Sequence, residues 1–234
     1  MTTKASSLPH PILCLVTDPA YGGPDALAAK AGAAVEGGAN MVQLRDKDMP
    51  AGQLLLLAQR LRQATAGKAL FMVNDRVDVA LAADADGVQL GEEALPVEVA
   101  RRLAGQRLLI GRSVHSAQGA VAAQRAGADF LVVGTIFPTG SHPDAPPAGL
   151  TLLTQVKAAV SIPFLAIGGV DATNVGRVMA QGSSGAAVIS AILSQADPRL
   201  AARALWDAMI AAVHPSGVVS SVPESFMSRF GGTP

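Results

Sequence analysis

From residue 12 to residue 213 the chain alternates short apolar runs with longer stretches whose apolar residues recur at helical spacing. The short runs are bounded by Gly, Pro, Asn and Asp, which predicts strands. They fall at 12–17, 41–45, 70–73, 87–90, 108–111, 130–134, 164–167 and 186–189. The intervening patterns predict helices over about 25–36, 51–63 and 77–83, from Pro96, up to Ala126, and over 150–159 and 198–213. Leu54, Leu55, Ala58 and Leu61 share one face of the second helix, and Gly37 and Gly38 stop the first. The strands read as continuous apolar runs, as they do when both faces of a parallel sheet are covered. Eight such strand–helix units in 234 residues predict an α/β fold, a single (β/α)8 TIM barrel. A doubly wound open sheet is the alternative.

This pattern divides the chain into an N-terminal segment, 1–10, a barrel, 11–213, and a tail, 214–234. The tail is rich in Ser, Pro and Gly and has no periodicity. Its Phe226 and Phe230 leave a docking role or a subunit contact open, and a homo-oligomer is compatible with them. Within the barrel the stretch from Pro163 to Ser190 stands out. Two strands end there in small residues, and Gly168 and Gly169 let the backbone come close to a ligand. Backbone N–H groups grouped there would hold a phosphate, as the loops after strands seven and eight of such barrels often do.

Composition narrows the function classes. Lys plus Arg number 18 and Asp plus Glu number 18, so there is no electrostatic footprint for nucleic acid. Aromatic residues make up 3%, too few for a stacking surface. The single cysteine, Cys14, lies in an apolar run and reads as a buried small hydrophobe. No apolar run approaches the ~20 residues of a membrane span. The N-terminus lacks the apolar core of a signal peptide, and the expected compartment is the cytoplasm.

Chemistry in this fold collects at the C-terminal ends of the strands. Strand two delivers Gln43, Arg45 and Lys47, strand three Asn74 and Asp75, and strand five Ser113 and His115. The loop after strand six delivers Thr139, Ser141 and His142, and strands seven and eight deliver Gly169, Ile189 and Ser190. Arg45 and Lys47 suit an anion of high charge density. Asp75 suits Mg²⁺, which takes one or two carboxylates and completes its shell with water and phosphate oxygens. Each group also has a plainer reading. The charges at 45–48 could pair among themselves, Asn74 and Asp75 could cap the next helix, and His115 could be a satisfied loop residue.

Seven short motifs occur in order: Gln43-Leu-Arg-Asp-Lys47, Asn74-Asp-Arg76, Gly87-Val-Gln-Leu-Gly91, Gly111-Arg-Ser-Val-His-Ser116, Gly134-Thr-Ile-Phe-Pro-Thr139, Ala166-Ile-Gly-Gly169 and Val188-Ile-Ser-Ala191. Together they resemble the thiamin phosphate synthase superfamily, which includes the TenI-type thiazole tautomerases, over about residues 11–210. The resemblance implies coupling of aminopyrimidine (HMP) pyrophosphate to thiazole phosphate, with release of pyrophosphate. Gln43, Arg45, Lys47, Asn74 and Ser113 would then meet the pyrimidine pyrophosphate, and Asp75 would bind Mg²⁺. Thr139, Ser141, Gly169, Ile189 and Ser190 would hold the thiazole phosphate.

Two positions depart from the synthase pattern. Where a second Asp binds Mg²⁺ in the synthases, this chain has Ala94, with Glu93 adjacent as a substitute ligand. Where a Lys meets the pyrophosphate, it has His142, which replaces that charge only when protonated, so activity would fall as pH rises. Both changes touch pyrophosphate handling and leave the thiazole end whole. They keep open a tautomerase, which needs no metal and uses a histidine matching His115. They also keep open a non-catalytic barrel that binds thiazole or thiamin phosphate in a regulatory role. Gln43, Arg45, Lys47 and Asp75 favour the synthase.

Overall fold

A computed structural model describes residues 8–140 and 146–214. The tail beyond His214, with Phe226 and Phe230, lies outside the described residues, as do Ser141 and His142. Eight parallel strands close into a barrel in chain order. They are β1 (Ile12–Val16), β2 (Met41–Leu44), β3 (Leu70–Asn74), β4 (Gly87–Leu90), β5 (Leu109–Val114), β6 (Phe130–Val133), β7 (Phe164–Ile167) and β8 (Gly185–Val188). The outer helices are α1 (Pro24–Gly37), α2 (Ala51–Thr65), α3 (Val77–Ala82), α4 (Val97–Ala104), α5 (Ala117–Arg125), α6 (Leu150–Ala159), α7 (Val175–Met179), a single-turn α8 (Ser190–Leu193) and α9 (Pro198–Val213).

The open-sheet alternative is thereby excluded, since β1 pairs with both β2 and β8. Beyond small shifts at other element ends, two boundaries and one added helix correct the sequence reading. β5 runs on to Val114, so Ser113 is a strand residue. Pro96 is the N-cap of α4, outside its first turn. The short α8, which the sequence pattern does not predict, begins at Ser190, one residue after β8. It is one turn long, too short to show a 3.6-residue period.

Inside the barrel, Ile12, Cys14, Val16, Met41, Met72, Phe130, Val132, Leu165 and Ala187 form one buried cluster. Each of the large aliphatic, Met and Phe side chains contributes about 2 kcal/mol by leaving water. Glycines make room for the large members, because a Cβ on Gly87 would overlap the Met72 methyl and one on Gly111 would overlap the Phe130 ring. Cys14 sits in this cluster, and burial pushes its thiol up to about 12. The thiolate is the reactive form, so Cys14 is an inert core residue. The second cluster fills the layer between strands and helices. The ring closes where α9 packs on α1, with Trp206 seated against Gly38.

The end of the barrel opposite the strand C-termini carries a repeated polar device. Asn40, before β2, accepts from Leu13 N on β1 at 2.9 Å. Asp86, before β4, accepts from Phe71 N on β3 at 2.8 Å. Asp129, before β6, accepts from Ile110 N on β5 at 2.7 Å. Ser183, before β8, donates to Phe164 O on β7 at 3.1 Å. Asp86 and Asp129 are also paired with Arg62 (2.6 Å) and Arg101 (2.5 Å) from the helices outside. These clamps stitch the strands in pairs. Asp86→Ala strands the Phe71 N–H and the Arg62 guanidinium and should cost about 2–3 kcal/mol. Urea denaturation checks this, and a loss below about 0.5 kcal/mol would count against the clamp.

Candidate active site

The strand parity that buries Met41, Met72 and Phe130 carries Gln43, Asn74, Gln89 and Ser113 to the inward face near the C-terminal ends of β2–β5. On the same rim, β6, β7 and β1 present Val132, Ile167 and Val16, and Ile189 joins them just after β8. The mouth is therefore polar on one half and apolar on the other. On the polar half, Gln43 Nε2 donates to Asn74 Oδ1 at 2.9 Å. That leaves Gln43 Oε1 as an acceptor and Asn74 Nδ2 as a donor.

The cations come next. Arg45 and Lys47 follow β2, and Arg45 N donates to Thr17 Oγ1 at 2.9 Å, which fixes where the loop leaves the strand. Asp46 turns its carboxylate to the N–H groups of Asp48 (3.1 Å) and Met49 (3.0 Å). Among the described residues neither Arg45 nor Lys47 has an acidic partner. The self-paired charge cluster is therefore not what forms, and two cations stand free beside the mouth. Arg76 is not a third, since it pairs with Asp78 at 2.5 Å and that hydrogen bond holds the Asp78 carboxyl below the usual carboxylate range.

Capping does not explain Asn74 and Asp75 either. Asn74 is held by Gln43, and α3 has Arg76 as its N-cap with no side-chain hydrogen bond. Asp75 sits in the left-handed region at φ 59°, a conformation costing a non-glycine residue about 1 kcal/mol and concentrated at functional sites. Its Oδ1 accepts from Gly91 N at 2.7 Å, across the gap to the loop after β4. Glu93 is exposed on that loop. Among the described residues no group of three or more His, Cys, Asp or Glu side chains is placed to hold a metal ion. The donor set at Asp75 is thus at most two carboxylates. It suits a Mg²⁺ ion whose remaining ligands are water and substrate phosphate oxygens.

His115 follows β5 and donates from Nδ1 to Gly134 O. A carbonyl only accepts, so Nδ1 carries the proton and Nε2 is the basic nitrogen of the neutral ring. Nε2 lies 3.4 Å from Glu92 Oε1, and the ring is half exposed. Together with Ser113, Glu92 and Arg112 it borders a groove of about 400 Å³ that runs outward between α4 and α5.

The far side of the mouth is built on close backbone approach. Ile136 N donates to Ile167 O (2.9 Å) and Phe137 N to Gly168 O (3.0 Å), so the loop after β6 lies flat along the end of β7. A Cβ on Gly168 or Gly169 would overlap this loop, and both have positive φ, 96° and 63°. Arg177 from α7 lies over the Phe137 ring at 5.6 Å and covers the loop from outside. The loop carries Thr139 to this rim, while Ile189 and Ser190 join β8 to α8. The N–H groups of Gly169 and Ser190 have no partner among the described residues. The glycine pair therefore serves two ends, docking of the loop and exposure of backbone donors. Only the second follows from the sequence pattern, which gives Gln89, Glu92 and Thr17 no role.

Fold and site together define a (β/α)8 barrel whose mouth carries unpaired cations after β2 and unpaired backbone donors after β7 and β8. A family model described as "Thiamine monophosphate synthase" matches residues 13–192. The chain is 48% identical over 202 residues to the thiamine-phosphate synthase of Methanoculleus marisnigri, covering 86% of this chain and 96% of that protein. It is 44% identical over 198 residues to the thiamine-phosphate synthase of Roseiflexus castenholzii, covering 84% and 87%. Among solved structures, thiamine phosphate pyrophosphorylase from Pyrococcus furiosus superposes with a TM-score of 0.80 at 40% identity, covering 87% of this chain and 97% of that one. The chain belongs to the thiamine monophosphate synthase family.

Proposed function

We propose that this protein is a thiamine-phosphate synthase, coupling HMP pyrophosphate to thiazole phosphate with release of pyrophosphate. The observation that carries the reading is the pair of free cations, Arg45 and Lys47, beside a mouth lined by amides. An isomerase acting on a thiazole carboxylate phosphate expels no leaving group, so it has no developing pyrophosphate charge for this pair of cations to neutralise.

In the reaction, the bond between the pyrimidine methylene carbon and the pyrophosphate oxygen breaks, and the leaving group takes the electron pair. The thiazole nitrogen then gives its lone pair to the resulting carbocation. Arg45 and Lys47 stabilise the charge that grows on the leaving group, aimed where it develops and so most effective in the transition state. Mg²⁺ held by Asp75, when bound, would neutralise further pyrophosphate charge. Gln43 and Asn74 offer an acceptor and a donor, the pair an aminopyrimidine edge needs. Ser113 contributes a hydroxyl to the same substrate. Val132, Ile167 and Ile189 keep water from the carbocation, so that the thiazole nitrogen captures it. Thr139 and the N–H groups of Gly169 and Ser190 hold the thiazole phosphate and orient that nitrogen. The coupling moves no proton on the thiazole ring, which leaves His115 to line the site and, when protonated, to pair with Glu92.

The test is product formation from HMP pyrophosphate and thiazole phosphate by purified protein. Thiamin phosphate should form with added Mg²⁺, and a chelator should lower the rate at least 100-fold. Isomerisation of the thiazole carboxylate without any coupling would replace this reading by the tautomerase.

A further inference from the structure

Gln89 lies in the middle of β4 and is 2% exposed. Among the described residues its Oε1 is a buried polar side-chain atom with no hydrogen-bond partner. A buried unpaired acceptor is destabilising, so its retention needs a reason. The reason is at the other end of the amide. Gln89 Nε2 lies 3.2 Å from Ser113 Oγ and 3.5 Å from Leu90 O. The Leu90 carbonyl can only accept, which places the amide nitrogen, and not the oxygen, at this end. Ser113 Oγ therefore accepts from Gln89, and its own proton must point elsewhere. No other partner of the Ser113 hydroxyl is present among the described residues. Gly111 completes the arrangement, because a Cβ there would overlap Gln89 Oε1 and close the space the amide occupies.

We propose that Gln89 is a positioning residue which makes Ser113 an obligate hydrogen-bond donor to the aminopyrimidine pyrophosphate. Left alone, a serine hydroxyl rotates and serves as donor or acceptor. With its lone pair taken from beneath, Ser113 presents only O–H to the mouth. The unpaired Oε1 is the cost of holding the amide in that orientation. This inference rests on the synthase reading and adds a residue that acts through Ser113 without touching substrate.

The experiment is a double-mutant cycle with Gln89→Met and Ser113→Ala, measured by steady-state kinetics in both substrates. Gln89→Met removes a buried unpaired atom at similar volume, so thermal stability should hold or rise. It should raise KM for HMP pyrophosphate about 10-fold and leave KM for thiazole phosphate within about 2-fold. In the Ser113→Ala background the same change should add less than about 2-fold, because the group it positions is gone. Gln89→His, which keeps a ring N–H at this depth, should recover part of the loss and serves as the second variant if Gln89→Met fails to fold. Multiplicative effects of the two substitutions, or an unchanged KM in Gln89→Met, overturn the proposal while the wild type still couples. A wild type that forms no thiamin phosphate overturns the synthase reading and this inference with it.

Discussion

Replacing Asp75 by Asn should lower kcat/KM for coupling by about 100- to 1,000-fold with little change in thermal stability. Asn tolerates the left-handed backbone conformation almost as well as Asp, and its amide oxygen can still accept from Gly91 N. What is lost is the negative charge. No cluster of three metal-binding side chains is present among the described residues to compensate for it. A preorganised charge at a leaving group is worth several kcal/mol, and the expected loss corresponds to about 3–4 kcal/mol. The defect should lie in the rate at saturating Mg²⁺ and in the Mg²⁺ concentration needed for half-maximal activity. Coupling within 5-fold of wild type would remove Asp75 from the site.

The second large effect belongs to the opposite rim. Gly169→Ala puts a Cβ into the Pro138 carbonyl and the Phe137 side chain, at a residue whose φ of 63° already disfavours side chains. The loop after β6 must then lift from β7, and Thr139 goes with it. Melting temperature should fall by roughly 4–8 °C, the equivalent of about 2 kcal/mol in a domain of this size. KM for thiazole phosphate should rise more than about 10-fold, while that for HMP pyrophosphate stays within about 2-fold. An unchanged thiazole phosphate KM would show that the glycine pair is needed for folding alone. The two variants together separate the ends of the mouth, Asp75 reporting on pyrophosphate and Gly169 on the monophosphate.

The barrel was legible because parallel strands buried on both faces appear as apolar runs, and eight of them have one economical closure. The rim residues were legible because Gln43, Arg45, Asn74, Asp75 and His115 sit where such runs end. Gln89 was not, since it lies inside a run, between Val88 and Leu90, where the eye reads only a buried strand. A lone polar residue in that setting was the available signal, and its parity with Met72 and Asn74 would have pointed it inward. The plainer readings of 45–48 and of Asn74 and Asp75 could be rejected only in three dimensions. Their exclusion depends on where Asp46 and Gln43 direct their hydrogen bonds, which spacing does not encode.

The four clamps at Asn40, Asp86, Asp129 and Ser183 lie a full strand length from Arg45, Asp75 and the glycine pair. Two tasks are thereby assigned to opposite ends of the same eight strands. A substitution at the mouth, such as Asp75→Asn, leaves the bonds that tie the strands together untouched. The scaffold can therefore stand while activity is lost, and folding and coupling can be damaged separately by substitutions at one end of the strands or the other.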